Sequence, residues 1–207
     1  MMRVCKIVIL WVTMIVVASF VACSNETDST LNSQQNSIVN YLKGSHQPRL
    51  IPESEIGNSL DDNPEFYTQW GLDIFRYVST YYDEDRSQRA TIEAGDIVEL
   101  QYTAYIFRSS KPSTSDMFAT NKQESINQLV AQGLNTSYEW TTEPLKAKIG
   151  NGDIMESLEI ALEGCHEGDS VEVYLTFESA YGHNHIGMVP SKSAQVWYID
   201  IKSVTKK

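Results

Sequence analysis

The sequence predicts an α+β domain in which a β-sheet packs on one short amphipathic helix, and three observations carry this reading. Ile154, Leu158, Ala161, Leu162 and Cys165 follow the i, i+4, i+7, i+8, i+11 spacing that lines one helical face with apolar side chains. Val171, Val173, Leu175 and Phe177 alternate with Glu172, Tyr174 and Thr176, the period-2 pattern of a strand with one face on a core. Between the two, Gly164 and the Gly168-Asp169 pair supply the stop and the turn.

At 207 residues, 42% hydrophobic and 21% charged, the chain holds one ordinary globular domain plus extra segments. Residues 1–22 differ in kind. Arg3 and Lys6 precede an apolar run from Ile7 to Ala18, and Ser19-Phe20-Val21-Ala22 leads to Cys23. This is similar to a bacterial lipoprotein signal peptide, in which the cysteine thiol takes a diacylglycerol and the freed amine a further acyl chain. Lipidation of Cys23 would tether the rest of the chain to a membrane. An uncleaved anchor and an ordinary secretory peptide are the alternatives. Cleavage before Cys23 removes Cys5 and leaves Cys165 as the one cysteine beyond the anchor, so the processed chain has no intrachain disulfide framework. Cys165 reads as a small core residue. Loss of Arg3 and Lys6 leaves 14 of the 16 basic residues against 27 acidic ones, a net charge of −13, which argues against nucleic acid or anionic headgroups as partners.

Residues 23–36, rich in Ser, Thr, Asn, Gln and acids, read as a flexible tether. Ser24 to Asp28 also resembles the acidic signals that send some bacterial lipoproteins to the cell surface. Residues 37–70 form an N-terminal extension. Within it Ser37 to Leu42 predicts an amphipathic helix stopped by Gly44, too short to stand unaided, so packing on the main domain is favoured over a free arm. Pro48 and Pro52 mark a connector, and the aromatic and β-branched run Phe66 to Val78 favours strand, with the main domain beginning at Gly71.

Asp83 to Ala94 is polar and turn-like, and Asp96 to Phe107 is the next strand. There Val98, Leu100, Tyr102, Ala104 and Ile106 share one face, which aims Tyr102 at the core or at a pocket it lines. A polar loop from Arg108 to Asp116 leads to Met117-Phe118. In the stretch 119–143, Ile126, Leu129, Val130 and Leu134 predict a short helix after Lys122, stopped by Gly133. Leu145 to Ile149 is a short strand ended by Gly150-Asn151-Gly152. Asp153, followed three residues later by Glu156, reads as an N-cap with its box partner, so the helix should start there and run to Glu163. The loop Ser179 to Ser193 carries Ala180-Tyr181-Gly182 and two histidines, and Gln195 to Val204 closes the domain as a strand through Trp197, Ile199 and Ile201.

The order Ala94-Gly95-Asp96 to Tyr102-Thr103, Ile149-Gly150-x3-Ile154, Leu162-Glu163-Gly164-Cys165-x2-Gly168-Asp169, Ala180-Tyr181-Gly182 and Val189-Pro190 resembles the FKBP-type peptidyl-prolyl cis-trans isomerases over roughly Gly71 to Val204. The resemblance implies a curved antiparallel sheet wrapped over the Asp153 to Glu163 helix, in a domain spanning 71–207. It also makes 119–143 an insertion beside the pocket rim, either a substrate-contacting feature or a tolerated surface loop. Tyr102, Phe118, Tyr181 and Trp197 take the catalytic aromatic positions. Leu145, Ile154, Met155, Leu158 and His185 take substrate-binding ones. Departures lie at Ala119, where the family commonly carries Asp, at Leu158 for a frequent Trp, and at Leu145 and Trp197 for Phe.

The implied reaction is rotation about an Xaa-Pro amide, whose barrier of about 18 to 20 kcal/mol reflects the double-bond character of the C–N bond. An apolar aromatic cup favours the twisted amide, in which charge separation is reduced, and needs no cofactor, metal or covalent nucleophile. His183-x-His185 is a weak metal signal without a third ligand in reach. The implied partner is a proline-containing peptide or an unfolded exported protein in the bacterial cell envelope, on the periplasmic face or at the cell surface. A binding module that has lost efficient catalysis is the second reading. A structural lipoprotein whose aromatics merely fill a core is the third.

Overall fold

Both faces of the central strands carry buried side chains, and this sets the architecture. The computed structural model describes residues 27–133 and 139–207. The expected signal peptide and Cys23 lie outside the described residues, as does Leu134.

Residues 27–40 form α1, which continues into a π-helical turn at Tyr41–Ser45. There follow β1 (Ile51–Pro52), β2 (Phe66–Trp70), β3 (Ile74–Val78), β4 (Ile97–Ile106), β5 (Met117–Thr120), α2 (Gln123–Ala131), β6 (Leu145–Lys148), α3 (Glu156–Leu162), β7 (Ser170–Leu175) and β8 (Gln195–Thr205). The strands form one sheet in the order β1-β2-β3-β7-β8-β4-β5, with β6 also on β4. The sheet is curved and open. Its pairs are antiparallel except β1 with β2, so the expected antiparallel sheet is mixed at its N-terminal edge.

On the inner face, Leu100 opposes Ile201, Tyr102 opposes Ile199, and Ala104 opposes Trp197, while Val171 and Val173 oppose Ile199 and Trp197. These side chains close on Leu158, Ala161, Leu162 and Cys165 of α3 in a single core. The start of α3 corrects the sequence reading. Asp153 does not cap the helix, because its carboxylate is taken by the turn after β6: it accepts the Lys148 N–H at 2.9 Å and the Asn151 amide at 2.7 Å. Met155 stands at the N-cap instead, without a side-chain cap bond. The other end is as expected, with Gly164 at φ +78, a conformation open to glycine without a Cβ clash. From β3, Arg76 donates to the Ala161 and Glu163 carbonyls at 2.9 Å each and so places a cation at the negative end of the helix.

The outer face is a second correction. Tyr174 and Thr176, which alternation placed on an open face, are completely buried. Tyr174 is covered because Ile38, Tyr41, Leu42 and Leu50 pack against Tyr67, Phe75, Tyr77, Tyr174 and Val196 in a second core, and the Thr176 hydroxyl donates to Asp73 Oδ1 at 2.7 Å. The N-terminal segment therefore docks on the domain, but it is longer than the sequence suggested. Residues 27–36, part of the expected tether, are helical. Gln34 gives the reason: its side chain donates to the Lys192 carbonyl and accepts the Phe177 N–H, both at 2.8 Å, so hydrogen bonds dock a polar helical turn that has little apolar surface to bury.

Helix α2 forms where expected, with Ile126 and Leu129 buried and Gly133 at φ +69 beyond its end. Hydroxyl contacts from Thr103 to Thr120 at 3.0 Å and to Ser125 at 3.1 Å dock it, with Lys122 paired to Asp200 at 2.7 Å. No helix among the described residues is long and apolar enough to cross a membrane.

Candidate functional site

The site begins at a gap. Along one edge of β4, β6 pairs from Ile97 to Leu100 and β5 from Thr103 to Tyr105, leaving Gln101 and Tyr102 between them. Asn121 fills this gap from just beyond β5. Its Oδ1 accepts the Tyr102 N–H at 2.7 Å, its Nδ2 donates to the Leu100 carbonyl at 2.9 Å and the Glu143 carbonyl at 3.1 Å, and its own N–H donates to the Tyr102 carbonyl at 3.2 Å. A side-chain amide thus takes the place of a strand. It holds the Tyr102 backbone and ties the far end of the insertion to the sheet.

Between the inner face and α3 lies a cavity of about 100 Å³, lined by Leu100, Tyr102, Leu145, Ile154, Met155, Leu158, Trp197 and Ile199. The rings of Tyr102 and Trp197 lie 5.4 Å apart with planes tilted by 37°. Phe118 extends the wall, edge-on to Trp197 at 5.7 Å and to Tyr181 at 6.0 Å. The Trp197 indole N–H donates to Gln195 Oε1 at 3.0 Å, which fixes the ring. Burial first, and then the neighbouring Tyr102 phenol, push the Tyr181 hydroxyl above its ordinary pKa, so it stays a neutral donor across the physiological range. The cup is an apolar recess sized for one small ring.

Six of the expected residues line this recess, and Phe118 and Tyr181 continue its aromatic wall. His185 is not brought to it. A short bridge between Ile186 and Val189 folds the loop back on itself, leaving His185 exposed with its ring on the Gly187 carbonyl at 3.0 Å. His183 sits 3.8 Å from Glu178, and no three His, Cys, Asp or Glu side chains among the described residues group to hold a metal. Burial pushes the Cys165 thiol up to about 11, in keeping with a core residue.

Sequence reasoning missed Leu100 and Ile199 as lining residues. The period-2 rule could have found them, since each lies two positions from an expected aromatic on the same face. Asn121 carried no comparable signal. A smaller recess of about 80 Å³ adjoins the cup, lined by Tyr102, Phe118 and Ala119 with Glu139 and Trp140 of the insertion. The insertion therefore returns to the rim, where Ala119 offers no carboxylate.

A family model described as FKBP-type peptidyl-prolyl cis-trans isomerase matches residues 88–202. No curated protein matches the chain. Among solved structures, the crystal structure of the three FKBP domains of wheat FKBP73 is similar at 17% identity and a TM-score of 0.51, covering 69% of this chain and 52% of that one. This chain thus spans about half the length of that relative, and at this identity the likeness speaks for the fold.

Proposed function

Because this chain belongs to the FKBP-type peptidyl-prolyl cis-trans isomerase family, we propose that it is a peptidyl-prolyl isomerase acting on exported proteins in the bacterial cell envelope. The observation that carries the proposal is the recess between Tyr102, Trp197 and Leu158, walled by aromatics, with the Tyr181 hydroxyl across Phe118. A proline ring enters the recess and its amide carbonyl takes a donor at the rim. The apolar surroundings favour the twisted amide over the planar one because twisting reduces its charge separation. Efficient use of this effect requires well-positioned walls; the Gln195 bond holds the Trp197 ring, and the Asn121 bonds hold the backbone that carries Tyr102.

The second reading is a binding module that holds a proline-containing segment without accelerating its rotation. Ala119 favours it, because the residue beside the wall supplies no acceptor. A lipid anchor at Cys23 completes the proposal; the pattern from Arg3 to Cys23 supports it.

Two measurements test these points. Titration of the full chain, in detergent, with a short Xaa-Pro peptide should shift NMR signals of Tyr102, Leu158 and Trp197; a peptide that binds elsewhere or not at all would remove the cup from the account. Expressed in a bacterium, the full chain should sediment with membranes and carry acyl mass at Cys23. A Cys23→Ser variant that stays acylated or equally membrane-bound would remove the anchor.

A further inference from the structure

A second cavity, separate from the cup, is the more roomy of the two. It has a volume of about 510 Å³ and lies on the outer face of the sheet, where the π-helical turn of the N-terminal segment and the loop before β5 flank β4, β7 and β8. Glu172 and Tyr198 are directly opposed in the sheet, and Tyr198 in turn opposes Thr103, two residues before Tyr105. The volume falls within the roughly 300 to 1,000 Å³ of small-molecule sites, five times that of the cup.

Its chemistry is mixed. Tyr41, Tyr105 and Tyr198 contribute rings and hydroxyls, Gln47 an amide, and Lys111 an ammonium group at the exposed rim. Tyr105 and Tyr198 meet edge to face at 5.7 Å. At the floor, Glu172 Oε2 accepts the Tyr174 hydroxyl at 2.6 Å and faces His46 Nε2 at 3.0 Å. The other His46 ring nitrogen faces the Pro48 carbonyl. With an acceptor at each nitrogen, the imidazole is best satisfied doubly protonated, which balances Glu172. Among the described residues Glu172 Oε1 takes no protein hydrogen bond.

Glu172 at the floor is balanced by His46, and the Lys111 ammonium stands at the solvated rim, so neither charge is left unscreened inside the cavity to select an ion. What the wall offers instead is neutral groups that both donate and accept, set among aromatic faces. A sugar ring presents the complement: hydroxyls that both donate and accept around its edge, and C–H faces that lie against aromatic rings.

We propose that this outer-face cavity is a binding site for a neutral saccharide unit, separate from the proline cup. The site lies across the sheet from the cup, so its occupancy does not require isomerase activity.

The test is saturation-transfer NMR on the full chain, held in a detergent without a sugar headgroup. Neutral gluco-, galacto-, manno- and N-acetylated di- and trisaccharides are the probes, each presented both free and attached to a carrier protein. Saturable transfer to the C–H protons of at least one sugar is expected. Gln47→Ala with Lys111→Ala, both at exposed positions, should weaken it about tenfold, as should Tyr105→Ala, while Tyr181→Phe leaves it unchanged. Transfer from the carrier-bound sugars alone assigns the site to attached glycans, and transfer from both forms to free oligosaccharides as well. Absence of transfer across the panel, or transfer indifferent to the paired rim variant, overturns the proposal. Displacement of the sugar by a simple carboxylate or tetramethylammonium, either one outcompeting every saccharide, overturns it too.

Discussion

Tyr102 on β4 and Trp197 on β8 are diagonal neighbours across one strand pair, their ring centroids 5.4 Å apart. Such diagonal contact is within reach of aromatic side chains on a pleated surface and couples the two strands that bound the cup. One of the two residues is held at its ring and the other at its backbone. Trp197 is tethered through its indole N–H to Gln195, and the backbone of Tyr102 is held by Asn121. The recess between them is a consequence of how the two are positioned, not of a loop that closes over them.

Replacing Trp197 by Leu removes a wall and leaves Gln195 Oε1 buried without its donor. Stability should fall by about 2 kcal/mol, from the lost packing and the orphaned acceptor. Proline-peptide affinity should fall about tenfold. Trp197→Phe, which keeps a ring, should lose about as much stability but less affinity. Denaturant unfolding and peptide titration of the three proteins check this; equal loss of affinity in both variants would show that the ring is not the wall.

Asn121→Ala deletes the substitute strand. The Tyr102 N–H and the Leu100 carbonyl lose buried partners, so a loss of about 3 kcal/mol is expected. Amide exchange at Tyr102 should quicken, and peptide binding should weaken although Asn121 does not line the cavity. Unchanged exchange at Tyr102 would contradict the positioning role.

The N-terminal segment should dock less firmly in alkaline solution. Burial alone would lower the His46 pKa, but the hydrogen bonds to Glu172 and Pro48, with the Glu172 and Glu65 charges, hold it above its ordinary value. A folded-state pKa above the unfolded one means a contribution fully present below about pH 6.5 and lost as pH rises through the raised value. Thermal stability should therefore decline from mildly acidic to mildly alkaline pH, and His46→Gln should flatten that decline. An identical pH profile in the variant would remove His46 as its source.

How much of this was legible depended on which force placed each residue. Periodic apolar burial is written locally, so the strand of Tyr102, the closing strand of Trp197 and the helix of the insertion were all readable. Six of the nine cup residues that the family resemblance implied line the recess. What failed were choices between polar partners. Asp153 looked like a helix cap but is spent on Lys148 and Asn151; Gln34 looked like tether but is docked by two hydrogen bonds. His185 was assigned by position in a loop whose fold-back is set by Ile186 and Val189. Tyr174 read as an outward residue because nothing in β7 itself says that a distant helix covers it. Such outcomes depend on tertiary partners remote in sequence, as does the placement of Asn121.

The central claim is that this cup accelerates rotation of an Xaa-Pro bond, and exchange spectroscopy on a proline peptide tests it most directly. With the full chain in detergent and a panel of residues before proline, exchange should be clearly faster than the uncatalysed process, which takes tens to hundreds of seconds. Tyr181→Phe, which keeps the ring and deletes the rim donor, should slow it about tenfold, the equivalent of ~1.4 kcal/mol, without altering the fold. Exchange at the uncatalysed rate across the panel, with the peptide bound and the chain folded, would contradict the claim and leave a binding module in its place.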